Sequence, residues 1–378
     1  MRIGIEGQRL FRRKKHGMDM GALELIRNLQ IIDKTNDYFV FIKPDEDDTC
    51  LNETENFKIV QVKALSYPIW EQIKLPQVIK RYKLDLMHYT SNTAPIFTRV
   101  PFVLTLHDII FLEKKSVCHK GFNLYQRFGN FYRKKVVPII VKKALIITTV
   151  SSYELAVISQ YFDKQKHKLE FIYNGVSEHF EKITSDPKIE GVRAKYNLAE
   201  KFIFAFGNTD PKKNTPGIIE AYGKYCKLVD NPIPLLLLDL DKNDLLSILK
   251  RINNIELLDH IQLTGYISNA DLPIIYSLSE FFLFPSLRES FGIPLLEAMR
   301  CETAVISSNS SALREIAGDA AILVDPTSVE EIANAILDLS KNPELRTSLI
   351  QKGIKNSKKY SWQAMAIEFQ KLYVRAFD

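Results

Sequence analysis

The segment FFLFPSLRESFGIPLLEAM, residues 281–299, holds a strand, a loop and a helix start in immediate succession. Phe281–Phe284 form an apolar run of the length expected for a strand buried on both faces. Pro285 ends it, because proline offers no donor to a sheet ladder. Pro294 suits the first turn of a helix, where its missing N–H costs nothing. Strand, loop and helix in that order make one βα unit of a parallel sheet.

The same rhythm extends in both directions. Before a polar stretch at 174–191 the apolar runs are RIGIE, YFVFIK (Tyr38–Lys43), FKIVQV, DLMHYT (Asp85–Thr90), PFVLTLHD (Pro101–Asp108), LIITTVS (Leu145–Ser151) and EFIYNG. After it they are FIFAFG (Phe202–Gly207), LLLLDL (Leu235–Leu240), IQLTG, FFLFPS, TAVISS and AAILVD (Ala320–Asp325). Segments of helical spacing separate them, so each half predicts a doubly wound parallel sheet, the α/β class with two Rossmann-like domains. The stretch NGVSEHFEKITSDPKIEG, with its Gly and Asp-Pro, reads as the linker. The domains expected are 1–180 and 186–360, facing each other across a cleft, with ligands at the carboxyl ends of the strands.

Composition sets the outer limits. A chain of 378 residues, 46% hydrophobic and 25% charged, is an ordinary globular one with room for two cores. Its four cysteines, Cys50, Cys118, Cys226 and Cys301, stand far apart with no CxxC pair, which suggests neither a zinc site nor a disulfide framework. No apolar segment reaches the ~20 residues that span a bilayer, and the N-terminus lacks a leader-like core, so a cytoplasmic chain, soluble or peripheral, is expected. The net charge of +6 belongs to the first half. No zinc-finger spacing or RNA-binding aromatic strand accompanies it, so nucleic acid is not expected as a partner.

Four loops carry chemistry. In residues 281–299, Glu289 lies in the loop and Glu297 is expected in the helix's first turn. A helix start with Gly292 before it favours phosphate oxygens, and acids near such a site suit the hydroxyls of sugar rings. The plain alternative is a helix-dipole acid and a solvated loop glutamate. After FIFAF, the loop GNTDPKKN places Lys212 and Lys213 where an ammonium can neutralise a departing diphosphate. After LTL, His107 and Asp108 emerge at a strand end, where a histidine can meet a substrate hydroxyl or serve only structure. His88, placed similarly, reads as structural. After RIGIE, the run RRKKHGMDMG brings Gly17 to a position of close backbone approach, in a basic loop that is otherwise solvated. Ser151 and Glu154 read as a helix cap.

Taken in order, these loops resemble glycosyltransferase family 4, retaining enzymes of the GT-B fold. FFLFPSLRESFGIPLLEAM is similar to that family's E-x7-E motif, with GNTDPKKN ahead of it and SALREIAGDAAILVDP after it. The resemblance implies that Glu289 approaches the donor sugar, Glu297 holds the ribose and Lys213 contacts the diphosphate. It implies that the backbone of Ser290, Phe291 and Gly292 lines the donor sugar, and that of Leu295 and Leu296 the diphosphate. It gives His107 a place near the reacting centre and Gly17 one near the phosphates. YSWQAMAIEFQKLY resembles the closing helix, about 361–378, that returns to the first domain. The chain departs at Asn208, where many members have arginine, so Lys213, aided by Lys212, is left to neutralise the diphosphate. Glu302 and Ala304 replace the usual Gly and Pro.

The reaction implied moves a hexose from a nucleoside diphosphate sugar to a hydroxyl of a saccharide or lipid-linked acceptor, with retention and with no metal or other cofactor. The donor is a co-substrate. The rivals are a nucleotide-sugar epimerase or hydrolase of the same fold, and a sugar-binding protein without catalysis. Residues 120–143 interleave Phe and Tyr with Arg and Lys, which suits either a helix lying on an anionic membrane or one packing its aromatics on the sheet.

Overall fold

A computed structural model of the chain describes residues 1–113, 124–184 and 187–377. Cys118, residues 120–123 of the aromatic and basic segment, and residues 185–186 of the polar stretch lie outside these. The chain divides into two compact units, Met1–Gly175 with Tyr360–Asp378, and Val176–Lys359.

The first unit is built on strands β1 (Arg2–Gly7), β2 (Asp37–Ile42), β3 (Phe57–Gln61), β4 (Leu86–Tyr89), β5 (Phe102–Thr105), β6 (Ile146–Thr149) and β7 (Leu169–Phe171). Their order is β3-β2-β1-β4-β5-β6-β7, and every pairing is parallel. The second unit holds β8 (Ile203–Phe206), β9 (Leu235–Leu238), β10 (Ile261–Leu263), β11 (Phe281–Phe284), β12 (Val305–Ser308) and β13 (Ile322–Val324), in the order β10-β9-β8-β11-β12-β13, again parallel throughout. Each of the thirteen apolar runs is a strand. They read as continuous rather than alternating because helices cover both faces of each sheet.

Each order reverses direction once, between β1 and β4 and between β8 and β11. At such a point the two flanking loops leave in opposite directions and open a crevice at the carboxyl edge. The loops after β8 and β11 are therefore neighbours, although some 76 residues separate Lys213 from Glu289.

Two local features follow from packing that composition hides. The polar stretch 174–191 carries two apolar anchors, Val176 and Phe180, both buried. Phe180 lies edge-on to Tyr276, its carbonyl accepts from Arg300 Nε at 3.0 Å, and a helix begins at Lys188. The boundary between the units thus falls inside this stretch, and its described residues from Val176 on belong to the second unit. The C-terminal helix, Trp362–Phe377, packs on the first unit, where Tyr373 OH meets the buried His88 Nδ1 at 2.8 Å and the Phe369 ring lies against the same imidazole, tilted, with centroids 4.9 Å apart. Burial holds His88 down to about 3, so it is a neutral structural group. Gly175 permits this return, since a Cβ there would lie 2.1 Å from Trp362 N.

Among the described residues Cys50, Cys226 and Cys301 are free, and no helix is long and apolar enough to cross a membrane.

Candidate functional site

The helix that follows β11 runs from Ile293 to Arg300, with Gly292 as its cap. Gly292 has φ +105°, and a Cβ would stand 2.5 Å from Leu313 Cδ2, so only glycine fits there. Pro294 occupies the first turn as expected. Glu297 does not. It is the fifth helical residue and lies in the second turn, because the helix opens at Ile293 and turns once before reaching it. Its carboxyl is set deep among protein atoms beside the buried Tyr276, whose OH donates to Glu297 Oε2 at 3.1 Å. Burial pushes Glu297 up to about 7, with the Tyr276 bond opposing the rise.

The start of this helix is poorer in amides than its position suggests. Pro294 has none, and Leu295 N–H turns back to Gly292 O at 3.1 Å. Phe291, Leu295 and Leu296 bury their side chains completely or nearly so. They have only backbone to offer a ligand.

The facing loop, after β8, supplies the cation. A short 3-10 turn, Pro211–Lys213, begins at Asp210, whose carboxylate accepts from Lys212 N–H at 3.1 Å. Lys212 Nζ lies 3.4 Å from that same carboxylate. Lys213 points across the crevice, where its Nζ donates to Glu289 Oε1 at 2.7 Å and sits 5.4 Å from the centroid of Phe284. Glu289 is in turn fixed through its own N–H, which donates to Ser311 Oγ at 3.2 Å. Asn208 takes the turn's other side, with its side-chain oxygen accepting from Asp210 N–H at 2.8 Å.

The two loops are tied together by more than that ion pair. Leu287 N–H donates to Lys212 O at 2.7 Å. Asn214, left-handed at φ +60°, donates from Nδ2 to Pro285 O at 3.0 Å and to Pro326 O at 2.7 Å. A buried amide that bridges three loops sets their spacing at little entropic cost, because the backbone groups it joins are already ordered.

In the first unit, His107 leaves the end of β5. Its Nε2 lies 2.9 Å from Thr90 O and its N–H donates to Asn92 Oδ1 at 2.6 Å. A carbonyl can only accept, so Nε2 carries the proton and Nδ1 is the bare nitrogen. Burial lowers the pKa of His107, which keeps the ring neutral. Thr90 is held from behind by Glu6, whose Oε2 accepts from Thr90 Oγ1 at 3.0 Å and whose Oε1 accepts from Gln8 N–H at 2.8 Å. Glu6, buried at the end of β1, is likewise pushed up by burial.

Gly17 opens the first helix, Gly17–Ile32, but Asp19 occupies that helix's start. Its carboxylate accepts from His16 N–H at 3.1 Å and pairs with Arg9 Nε at 2.8 Å. The anion at this helix end is thus the chain's own. Ser151 caps its helix through Glu154 N–H at 3.2 Å, as expected.

Two family models divide the chain between them. Residues 20–180 match "Glycosyltransferase Family 4", and residues 189–356 match "Glycosyl transferases group 1". The chain belongs to glycosyltransferase family 4.

Among curated relatives, the serotype-specific mannosyltransferase WbdA of Escherichia coli is 29% identical over 281 residues, which is 73% of this chain and 34% of that protein. The O-antigen chain mannosyltransferase B of Escherichia coli is 29% identical over 236 residues, 61% of each chain. The match thus spans about a third of the length of WbdA. Among solved structures, sucrose-phosphate synthase from Thermosynechococcus elongatus covers all of this chain and 99% of its own, with TM-score 0.76 and 19% identity. Anabaena Alr3699/HepE, solved with UDP and glucose, covers 99% of this chain and all of its own, with TM-score 0.73 and 16% identity. These likenesses show the GT-B fold.

For this family 4 chain, the structure brings Lys213 to Glu289 across two loops of the second unit, with Lys212 and Asn208 on the same loop as Lys213, while Glu297 lies in the helix that follows, against Tyr276. His107 and Gly17 lie in the first unit. Sequence reasoning missed Tyr276, Asn214, Glu6, Asn92 and the Arg9–Asp19 pair. A glutamate inside RIGIEG was the one available signal, since a charge in a fully buried strand needs partners.

Proposed function

We propose that this chain transfers a hexose from a nucleoside diphosphate sugar to a hydroxyl of a saccharide or lipid-linked acceptor, with net retention, in the synthesis of a polysaccharide or glycolipid. The observation that carries this reading is the contact between Lys213 Nζ and Glu289 Oε1 at 2.7 Å. An ammonium and a carboxylate held together at the mouth of a crevice suit a ligand with a diphosphate joined to a polyol: the ammonium takes phosphate oxygens and the carboxylate accepts from sugar hydroxyls. Glu297, farther in, would accept from the ribose.

Lys213 would stabilise charge on the departing diphosphate, with the helix dipole adding a smaller share because few amides face outward. If the acceptor attacks the face from which the diphosphate leaves, a phosphate oxygen can take its proton and no protein base is required. Neutral His107 would hydrogen-bond a substrate hydroxyl through Nδ1. Because an ammonium supplies the positive charge at the phosphates, we propose that the reaction needs no metal. Full activity in the presence of a chelator supports that, and loss of activity restored by a divalent cation contradicts it.

The experiment for the reading as a whole is thermal-shift screening with UDP, GDP and ADP sugars. A ligand at 100 times its dissociation constant stabilises by ~2.7 kcal/mol. A shift with one donor, followed by sugar transfer to an added acceptor, supports it. No shift with any nucleotide sugar, or release of free sugar alone, sinks it. The mannosyltransferase relatives make GDP-mannose the first donor to try.

A further inference from the structure

The helix Leu124–Lys143 of the first unit turns Val136, Val137, Ile140 and Val141 into the core. Its other face is uncovered: Phe128 is 57% exposed, Phe131 59% and Ile139 40%. At the helical repeat these three share one stripe with Lys135 and Lys142, flanked by Arg127 and Lys134 on one side and Lys143 on the other. The helix contains no Asp or Glu. Lys135 Nζ lies 5.7 Å from the Phe131 centroid, and Lys143 Nζ lies 5.5 Å from that of Phe97, itself 84% exposed.

A second apolar stripe belongs to the same surface. Leu65, Ile69 and Ile73 recur every four residues and are 97%, 37% and 49% exposed. The chain there is helical from Tyr67 to Ile79, with a π-turn at Trp70–Lys74. Glu71 is the one acid between residues 63 and 80, and it faces inward. It accepts from Gln72 Nε2 at 2.7 Å and from the hydroxyls of Tyr67, Thr93 and Tyr132. Tyr132 comes from the Leu124 helix and lies edge-on to Tyr67 at 5.9 Å. This buried hub locks the two stripes together. The exposed charges around the second are Lys63, Lys74 and Lys80.

We propose that this surface docks the first unit onto an anionic lipid bilayer, with Phe97, Phe128, Phe131 and Leu65 entering the headgroup layer and the ring of cations facing lipid phosphates. Exposed apolar side chains gathered in one stripe and rimmed by charge mark an interaction surface, whereas scattered single ones do not. The two segments, 63–80 and 124–143, expose cations and no acid of their own, a pattern that selects an anionic surface. A second copy of the same face would meet like charge. The proposal draws on the transferase reading only for its purpose, access to a lipid-linked acceptor; the binding itself requires no transfer.

The test is co-sedimentation of the full chain with phosphatidylcholine vesicles, with and without phosphatidylglycerol, at low and high salt. The chain is expected to pellet only with phosphatidylglycerol and to be released by salt. The pairs Phe128→Ser with Phe131→Ser, and Lys134→Glu with Lys135→Glu, should each weaken that binding by at least ~10-fold. Both pairs should retain the wild-type thermal shift with nucleotide sugar, which shows that they are folded. A wild-type chain that stays in the supernatant overturns the proposal, as do both pairs binding like wild type. A salt-sensitive dimer broken by the same substitutions, without vesicle binding, assigns the face to a second copy and also overturns it. Loss of transfer with vesicle binding intact would sink the enzymatic reading and leave this one standing.

Discussion

Glu297→Gln removes a charge that the fold resists and that the donor, in our proposal, uses. Burial carries the Glu297 carboxyl from 4.5 to about 7. Between those values the folded chain keeps a proton that the unfolded chain has released. Stability from this group therefore falls as pH rises through the window, and no more is lost above it. Each tenfold in proton affinity is about 1.4 kcal/mol, so the loss at pH 8 is on the order of 3–4 kcal/mol at most. Partial exposure of the side chain reduces this to roughly 1–3 kcal/mol. Glutamine has the same shape, still accepts from Tyr276 and carries no charge. For a unit of this size the gain is about 2–10 °C. Scanning calorimetry should show the second unit of Glu297→Gln melting several degrees above wild type at pH 8 and level with it at pH 5, while its affinity for a nucleoside diphosphate falls. A variant no more stable at pH 8, or equally stabilised at both pH values, refutes the reasoning.

Lys213→Ala should lower transfer at saturating donor by at least ~100-fold, as expected for removing a preorganised charge at a leaving group. Turnover near that of wild type would remove Lys213 from the site. Asn214→Ala deletes two buried hydrogen bonds and a left-handed position, and should destabilise the second unit by roughly 2–4 kcal/mol in denaturant titration. Asn214→Gly should recover only the backbone part, and full recovery would count against the bridging role of the amide. His107, lowered by burial, should titrate with a midpoint below its ordinary 6.5, and a midpoint at or above 6.5 in its ring resonance would count against the buried, neutral assignment.

The fold was legible because its signal is local and redundant. Each strand is a short apolar run, and the central ones, such as Leu235–Leu238, are buried along their whole length. Candidate site residues were legible only where chemistry and strand ends coincide, at Lys213 and Glu289 in the second unit and at His107 in the first. Tyr276 was not, because it lies mid-helix in LPIIYSL and its hydroxyl reaches Glu297 only through packing. Asn214 reads as a turn former, and nothing in the order of residues says that its amide joins loops after three different strands. Phe180 hid in a polar stretch because one buried ring suffices to anchor a segment that composition marks as exposed. The face of the Leu124 helix was ambiguous for a related reason. Interleaved aromatics and cations fit either burial pattern, and the neighbouring hub at Glu71 decides which side of the helix is outside.

The most direct test of the account is a crystal structure with a bound nucleoside diphosphate sugar. The account predicts a diphosphate oxygen within hydrogen-bonding distance, ~2.7–3.2 Å, of Lys213 Nζ, with sugar hydroxyls on Glu289 and ribose hydroxyls on Glu297. A donor bound elsewhere, with the Lys213–Glu289 contact undisturbed and Glu297 meeting only Tyr276, would contradict it.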